Sequence, residues 1–200
     1  LTPRLLLQVA RCPAWAIGIQ STGMPRMRLM DSYADQTKTG PLPSTAHVGY
    51  LLRAAPDWDY VSALRERWQG KLVIKGVMEP EVAAQAEAEE VDAVWVSNHA
   101  GRQFDGAPAS LDALREVRVA TGLPILFDSG VTGGLDVMRA LALDASFVMM
   151  GRPWHYALGA LGPQGPAHWH DVLVKDMESN MAQIGAARLS ELAGRLATPG

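Results

Sequence analysis

The sequence contains little cysteine, no long apolar run and no large excess of charge. Cys12 is the only cysteine among the 200 residues, which excludes a disulfide within the chain and favours a cytoplasmic setting. No apolar stretch reaches the roughly 18 residues that a membrane span needs. The net charge of −3 argues against a broad electrostatic grip on nucleic acid. Cys-x-x-Cys and His-Glu-x-x-His patterns are also absent, so we expect no metal site.

An apolar run followed by a helical stretch occurs four times in the C-terminal two-thirds of the chain. The runs are apolar almost throughout, which is typical of strands whose two faces are buried in a parallel sheet. Four successive β-then-α units predict an α/β fold built on such a sheet. The predicted strands and their helices are 71–76 with 80–89, 92–98 with 110–122, 124–130 with 135–143, and 146–151 with 153–161.

The flanking segments follow other patterns. Residues 2–11, 44–53 and 59–68 have helical spacing, and 167–185 predict a long amphipathic helix. Residues 13–45 carry glycine, proline, serine and threonine with little periodicity, which predicts a mobile, lid-like excursion over the active-site face. We expect one partial domain over 1–200, in which 1–70 hold a helix, the lid and a lead-in helix, 71–161 the four units, and 162–200 the C-terminal helices.

A charged or titratable residue follows or ends each predicted strand. These residues are Lys75, His99 in the segment VSNHAGRQ, Asp128 and Arg152. The loops that follow the strands of a parallel sheet converge at one edge, where such folds place their chemistry. Taken singly, each residue also fits a packed or solvated role. Four of them at equivalent positions favour a functional site.

Glycine-rich turns follow the third and fourth strands, as DSGVTGG (128–134) and GRP (151–153). Glycine lets the backbone approach a ligand closely, and the helix after each turn offers free N–H groups and a positive dipole end to an anion. Arg152 adds a charged fork that suits a phosphate. The two turns together predict a phosphate-binding site.

Four segments resemble the C-terminal half of the FMN-dependent 2-hydroxy acid oxidases and dehydrogenases. This family includes glycolate oxidase, lactate oxidase, L-lactate dehydrogenases and mandelate dehydrogenase. The resemblance is loose up to about residue 70 and close over 71–195. It implies a (β/α)₈ TIM barrel about twice as long as this chain, whose strands five to eight are the four predicted here. The segments are VIKG (73–76), VSNHAGRQFDG (96–106), DSG (128–130) before DVMRALAL (136–143), and GRPWHYAL (151–158).

The resemblance implies a role for each strand end. His99 matches the catalytic base, and Arg102 matches the arginine that holds the substrate carboxylate; together they are the implied substrate-binding residues. Asp128 matches a catalytic carboxylate that is hydrogen-bonded near that histidine, and Lys75 matches the lysine beside the flavin N1–O2 edge. The implied cofactor-binding residues are Lys75, Ser97, Asp128, Ser129, Gly130, Val131, Thr132, Gly151 and Arg152.

The implied activity is FMN-dependent oxidation of an L-2-hydroxy acid to the 2-oxo acid. This reaction removes a proton from the hydroxyl oxygen and a hydride equivalent from the adjacent carbon. A histidine that titrates near neutrality suits the proton transfer. An arginine can hold the carboxylate at two points and thereby orient the reacting carbon. Base and anchor therefore belong on one loop, as His99 and Arg102 are.

Several positions depart from the family pattern. Thr132 stands where an arginine is common, in a DGGxR arrangement, and Ala100 follows the histidine where glycine is usual. Glu90 and Asp144 occupy turns where glycine is also usual. The tyrosine pair, aspartate and arginine that the family carries on its first four strands have no match here.

Three interpretations remain open at this stage. The chain is part of a flavin oxidoreductase, a phosphate-binding barrel with lyase or isomerase chemistry, or a non-catalytic fragment. We expect this chain alone to bind flavin weakly and to self-associate, because a half barrel leaves strand edges unpaired. The intact protein is expected to be a homo-oligomer. Residues 13–45 are a candidate segment for peripheral contact with the inner face of a membrane.

Overall fold

The computed structural model describes residues 2–23, 55–193 and 195–196. The chain divides into two compact units, Leu1–Pro56 and Asp57–Gly200. In the first unit, two helices are described, α1 (Pro3–Ala10) and α2 (Pro13–Thr22). Each begins with a proline, which needs no N–H partner in the first turn. Neither helix contains a buried residue.

Residues 13–22 of the predicted excursion over 13–45 form a helix, α2, which the sequence did not predict. Pro13 sets the first helical φ, and the helix ends at Gly23, whose φ of 77° a side chain would disfavour. The signals that start and stop this helix were present in the sequence, although its apolar residues have no clear period. The rest of the predicted excursion, 24–45, and the helical stretch predicted over 44–53 lie outside the described residues.

The second unit contains the four predicted β/α units. The observed strands are shorter than predicted. In the second and third strands the polar residues at the carboxyl end leave the sheet and enter the loops, whereas the first strand begins two residues later than predicted and extends one residue further, to Val77. The last helix, α8, confirms the predicted long helix. The elements are α3 (Trp58–Arg67), β1 (Val73–Val77), α4 (Pro80–Ala88), β2 (Ala93–Val96), α5 (Ser110–Ala120), β3 (Ile125–Phe127), α6 (Gly134–Ala142), β4 (Phe147–Val148), α7 (Arg152–Leu161) and α8 (Gly165–Gln183).

The four strands form one parallel sheet in the order β1-β2-β3-β4. Each strand pairs with the next one in the chain, as expected when a single helix connects neighbouring parallel strands. Lys75 is in register with Trp95, Trp95 with Leu126, and Leu126 with Phe147. Side chains in register on parallel strands point to the same face, so these four share one face of the sheet.

The two faces of the sheet differ in burial. Val94, Val96, Ile125 and Phe127 point to the opposite face and are at most 2% exposed. They belong to a core that includes residues of α4, α5 and α6, and full burial of each such side chain contributes about 1.5–3 kcal/mol. On the face that carries Lys75, Phe147 is 59% exposed. One face is therefore covered by helices, and the other is open within the described part of the chain.

Left-handed residues follow two helices at the amino end of the sheet. Glu90 after α4 has a φ of 57°, and Asp144 after α6 has a φ of 67°. Both are positions where the sequence predicted a glycine-type turn, and the structure confirms that conformation. The left-handed residue ends each helix and redirects the chain into the next strand.

Charged groups at the amino end of the sheet are paired with one another. Asp92, just before β2, accepts hydrogen bonds from Lys71 Nζ at 2.6 Å, Leu72 N at 2.9 Å and Arg65 Nη1 at 3.1 Å. The bond from Lys71 is the largest of the influences that lower the pKa of Asp92 to about 2. The carboxylate ties α3 to the segments that begin β1 and β2, which is a structural role.

No helix in residues 2–23, 55–193 and 195–196 is both long and apolar enough to cross a membrane.

Candidate active site

A cleft of about 560 Å³ lies at the carboxyl edge of the sheet. Its volume is in the range of pockets that hold small molecules and cofactors. Lys75 of β1 and residues from the loops after β2, β3 and β4 contribute to it, as the convergence of parallel strands predicts. The lining residues are Lys75, Trp95, His99, Ala100, Arg102, Gln103, Asp128, Ser129, Gly130, Val131, Met149, Met150, Gly151 and Arg152.

Lys75 occupies a fixed position at the base of this cleft. Its Nζ donates to Ser97 Oγ at 2.8 Å and lies 3.1 Å from Asp128 Oδ2. The ammonium group also lies 4.5 Å from the centroid of the Trp95 ring, a favourable cation–π distance. Because Trp95 is the register partner of Lys75, the ring and the ammonium group meet on the same face of the sheet. The cation is thus held from three sides.

Asp128 is kept ionised by hydrogen bonds. Burial is the largest single influence on its pKa and raises it, but the bonds from Ser97, Ser129 and Lys75 together outweigh burial. The net pKa of Asp128 therefore lies below that of an ordinary aspartate. Ser129 Oγ donates to Asp128 Oδ1 at 2.7 Å, while Lys75 takes Oδ2. Both carboxylate oxygens are thus engaged.

His99 projects from a left-handed turn directly after β2. The φ angles of His99, Ala100 and Gly101 are 53°, 56° and 72°. The turn is held by its own amides: His99 N donates to Ser97 Oγ at 3.2 Å, and Ala100 N donates to Ser129 Oγ at 3.1 Å. A left-handed conformation costs a non-glycine residue about 1–3 kcal/mol, so these bonds offset a local strain.

Gly76 makes room for the histidine ring. A Cβ atom added to Gly76 would lie 3.3 Å from His99 Nε2, and the φ of Gly76 is 93°. Both the close approach and the left-handed backbone therefore require glycine at this position. The His99 ring consequently lies against the end of β1, one residue beyond Lys75.

Arg102 and Arg152 are the two arginines that line the cleft. Both side chains are exposed, and neither forms a hydrogen bond or an ion pair with a described residue. Arg152 is the first residue of α7, whose N-terminal N–H groups point towards the same edge. Two cations without a described protein partner give the cleft a preference for anions.

The starts of α6 and α7 differ in their charge. At α6, Asp136 Oδ2 accepts from Thr132 N at 3.0 Å and from Thr132 Oγ1 at 2.9 Å, and Asp176 Oδ2 accepts from Gly134 N at 2.6 Å. At α7, the residue before the helix, Gly151, supplies no side-chain cap. The positive end of α6 is therefore already neutralised by carboxylates, whereas that of α7 can receive an external anion.

Most of the residues singled out from the sequence meet at this cleft. The lining includes Lys75, His99, Arg102, Asp128, Ser129, Gly130, Val131, Gly151 and Arg152.

Ser97 and Thr132 are not among the lining residues. Ser97 is 1% exposed and supports Lys75 and the His99 turn from below. Thr132 donates its hydroxyl to Asp136. The expected hydrogen bond between Asp128 and His99 is not formed among the described atoms; the carboxylate instead binds Ser129 and Lys75.

Six residues of the site were not predicted as site residues; one of them, Ala100, was noted only as a departure from the family pattern. Gly76 and Trp95 could have been found from their neighbours, since Gly76 follows Lys75 and Trp95 occupies the matching place on the next strand. Met149 and Met150 follow the last strand, where a lining residue is expected. Nothing in the sequence marks Gln103 as a site residue except its position directly after Arg102.

A smaller cavity of about 350 Å³ adjoins the cleft on the side of α5. It shares Ala100, Ser129, Gly130, Val131 and Arg152 with the cleft. Asn98 lines it and donates from Nδ2 to Pro108 O at 3.1 Å, which braces the loop after the histidine. The shared residues make this cavity an extension of the same site.

The model of the FMN-dependent dehydrogenase family matches residues 1–198. The chain belongs to this family. Sequence relatives and solved structures agree with the match and show that the chain spans about half the length of the relatives it matches.

Two relatives illustrate the similarity. The L-lactate dehydrogenase of Pseudomonas syringae pv. syringae is 35% identical over 196 residues, which cover 95% of this chain and 50% of that protein. The L-lactate oxidase of Alicycliphilus denitrificans is 43% identical over 150 residues, which cover 74% of this chain and 41% of that protein.

Solved structures show the same fold. The monotopic membrane protein (S)-mandelate dehydrogenase superposes with a TM-score of 0.81 at 31% identity, covering 96% of this chain and 51% of that chain. A mandelate oxidase in complex with (S)-4-hydroxymandelic acid gives a TM-score of 0.65 at 34% identity, covering 70% of this chain and 40% of that chain. The α/β fold with a parallel sheet is thus the fold of the family.

FMN is the cofactor of this family, and the residues of the cleft suit it. Arg152 and the uncapped start of α7 suit a phosphate. Gly130 and Gly151 have no atom within 4 Å of where a Cβ would stand, so the backbone is open to a close ligand there. Trp95 Nε1 is buried and has no described hydrogen-bond partner, which leaves a donor at the cleft.

Proposed function

We propose that the protein carrying this chain oxidises an L-2-hydroxy acid to the 2-oxo acid with FMN, and that the chain supplies the carboxyl-terminal half of the barrel. The observation that carries the proposal is the meeting of Lys75, His99 and Arg102 at one cleft with the uncapped start of α7. The names of the relatives favour this class, since they are L-lactate dehydrogenases and an L-lactate oxidase.

His99 and Arg102 divide the work on the substrate. The carboxylate of the hydroxy acid binds Arg102, which has no described protein anion to compete for its guanidinium. This contact turns the hydroxyl group towards His99, three residues earlier on the same loop. The neutral imidazole accepts the hydroxyl proton. Bound FMN supplies the acceptor for the hydride equivalent from the adjacent carbon.

Lys75 provides a fixed positive charge below the reacting groups. Asp128, Ser97 and the Trp95 ring hold the ammonium group, so no reorganisation is needed when negative charge develops beside it. Because Asp128 stays ionised well below neutral pH, this arrangement is complete at pH 7. We assign Asp128 to the support of Lys75, with the base role left to His99.

The phosphate of FMN is assigned to the start of α7. Gly151 leaves the backbone accessible, and Arg152 adds a guanidinium group. Thr132 stands where the family pattern has an arginine, and its hydroxyl is taken by Asp136. Val131 and Gly130 line the cleft beside Ser129. In this assignment, the loop after β3 forms part of the cleft wall, and Arg152 supplies the positive charge that binds the phosphate.

An incomplete barrel would account for the open face of the sheet. In the described part of the chain, β1 and β4 are edge strands, and Val73 and Phe147 on the open face are 39% and 59% exposed. A barrel of eight strands would pair both edges and cover this face. We assign residues 1–200 to one partial domain, and expect the isolated half to self-associate through its edges.

Contact with a membrane is assigned to residues 13–45, of which α2 is described, together with the neighbouring helix α1. Leu6, Leu7, Trp15 and Ile17 on α1 and α2 are 53–67% exposed. Residues 2–23 contain arginines and no acidic residue, which suits an anionic lipid surface. The structural neighbour that covers 96% of this chain is a monotopic membrane protein. Sedimentation with phosphatidylglycerol vesicles that is unchanged by Ile17→Glu would contradict this assignment.

The decisive experiment uses the protein purified from its complete gene. The protein should bind FMN, and its visible flavin band should bleach when L-lactate or (S)-mandelate is added without oxygen. A phosphate-binding lyase or isomerase predicts no flavin band, and a non-catalytic protein predicts a band that no hydroxy acid bleaches. Either result would overturn the proposed function.

A further inference from the structure

Two serine side chains hold two successive backbone amides in the cleft. Ser97 Oγ accepts from His99 N at 3.2 Å, and Ser129 Oγ accepts from Ala100 N at 3.1 Å. Both His99 and Ala100 have left-handed backbones, which a residue with a side chain keeps only where its surroundings fix it. The two hydroxyls therefore help to fix the backbone of the turn that follows β2 and carries His99.

Ser129 is itself anchored on both its side chain and its carbonyl. Its Oγ donates to Asp128 Oδ1 at 2.7 Å, and its carbonyl accepts from Ser110 Oγ at 3.2 Å at the start of α5. The φ of Ser129 is 82°, so this residue also keeps an unfavourable backbone. Ser129 thus connects the start of α5 to the turn that carries His99, and its contacts at both places restrict the movement of that turn.

The same carboxylate links this serine to the lysine. Asp128 binds Ser129 through Oδ1 and Lys75 through Oδ2. Ser97 also contacts both sides, since it accepts from Lys75 Nζ at 2.8 Å and lies 3.4 Å from Ser129 Oγ. The positions of Lys75 and of the histidine turn are thus set by one continuous hydrogen-bond network.

We propose that Ser129 is a positioning residue, whose hydroxyl, oriented by Asp128, holds the Ala100 amide and keeps the left-handed turn that directs His99 into the cleft. The role of His99 as a base belongs to the proposed function. The support of its turn by Ser129 does not depend on that role.

Two variants separate the hydroxyl from the strained backbone. Ser129→Ala removes the hydroxyl and keeps a side chain at positive φ. Ser129→Gly removes the hydroxyl and relieves the backbone, so it should fold even if the alanine variant does not. Ser146→Ala is the control, because Ser146 Oγ accepts from Ile125 N at 3.2 Å near the other end of β3.

The readouts are amide hydrogen exchange of the 98–102 segment and the NMR signal of the His99 ring, both measured in the complete protein without substrate. Ser129→Gly should accelerate exchange in this segment at least about fivefold and shift the ring signal, because one hydrogen bond to the turn is lost. Ser146→Ala should leave both unchanged. Unchanged exchange and an unchanged ring signal in a folded Ser129→Gly protein overturn the proposal, whatever the enzyme does with hydroxy acids.

Discussion

The two ends of the parallel sheet use charge differently. At the amino end, Asp92 is bound by Lys71 and Arg65. At the carboxyl end, Asp128 is bound by Lys75 in the same manner. The carboxyl end also holds two arginines that line the cleft and form no ion pair with a described residue.

The charged groups of the sheet thus fall into two kinds: paired groups that stabilise the fold, and arginines, unpaired among the described residues, that are available to a ligand. The pairs at both ends contribute to the folded state, since each aspartate ties two strands or a strand and a helix together. The unpaired arginines contribute nothing of this kind to the described structure. They are available to anions, which are the carboxylate of a substrate and the phosphate of FMN in the proposed function. In barrels of this type the carboxyl end is where active sites lie.

The largest expected effect is that of His99→Gln at the carboxyl end. Turnover of a 2-hydroxy acid should fall by about 10²–10⁴-fold in the complete protein, because the proposed general base is lost while the ring's place is filled. FMN binding should stay normal. The matched control is His155→Gln, on the exposed surface of α7. Substrate reducing the flavin of His99→Gln at the unchanged rate would disprove the assignment.

Asp128→Asn should lower the free energy of unfolding by about 1–3 kcal/mol, because Lys75 loses its charged partner in a partly buried place. The pH dependence follows from the lowered pKa. The contribution of Asp128 is complete above the pKa of an unfolded aspartate, about 3.9, and is lost as the pH falls through the lower folded value.

Chemical denaturation at several pH values measures this contribution. Acid should destabilise Asp128→Asn less steeply than the unchanged protein. Asp92→Asn sharpens the comparison, since it should also reduce stability but leave flavin affinity intact. If Asp92→Asn weakened flavin binding as much as Asp128→Asn does, the proposed difference in function between the two ends of the sheet would be wrong.

Arg152→Gln should weaken FMN binding about tenfold, because the proposed charge-assisted contact with the phosphate is removed. Stability without flavin should not change, since Arg152 has no described partner to lose. Arg118→Gln is the control: Arg118 Nη1 donates to Leu123 O at 3.2 Å at the amino end of β3. Titration of flavin fluorescence measures both affinities, and a larger loss in Arg118→Gln would reverse the assignment.

Thr132→Val has the smallest expected effect. It removes the hydroxyl bond to Asp136 and keeps the backbone bond, so the free energy of unfolding should fall by about 0.5–1.5 kcal/mol. Flavin affinity should be unaffected, because the start of α6 is already occupied by carboxylates. A clear loss of flavin affinity in this variant would show that Thr132 has kept a phosphate role.

The order of the strands and helices, and the edge of the sheet at which the site lies, could be predicted from the sequence. Apolar runs as uniform as 93–96 and 124–127 admit few alternatives to buried parallel strands, and Lys75, His99 and Asp128 then converge by topology. The partners of those residues could not be predicted in this way. That Asp128 binds Lys75 and Ser129 rather than His99 depends on side-chain directions after the strands, which hydrophobic pattern does not encode.

The same limit applies to the two helix starts. The sequence places glycines before both α6 and α7, so both were expected to serve the phosphate. Asp136 follows Thr132 by four residues, a spacing that permits a local cap, but Asp176 arrives from α8 and is distant in sequence. Only the packing of α8 shows that the first of these helix starts is closed to an external anion.

The most direct test of the account compares one arginine from each end of the sheet. The rate at which L-lactate reduces bound FMN without oxygen is measured in the complete protein, in Arg102→Lys and in Arg65→Lys. Lysine keeps the charge at either place but loses the two-point geometry of the guanidinium. The account predicts a loss of about tenfold or more in Arg102→Lys, at a given lactate concentration, and an unchanged rate in Arg65→Lys. Equal rates in the two variants would contradict it.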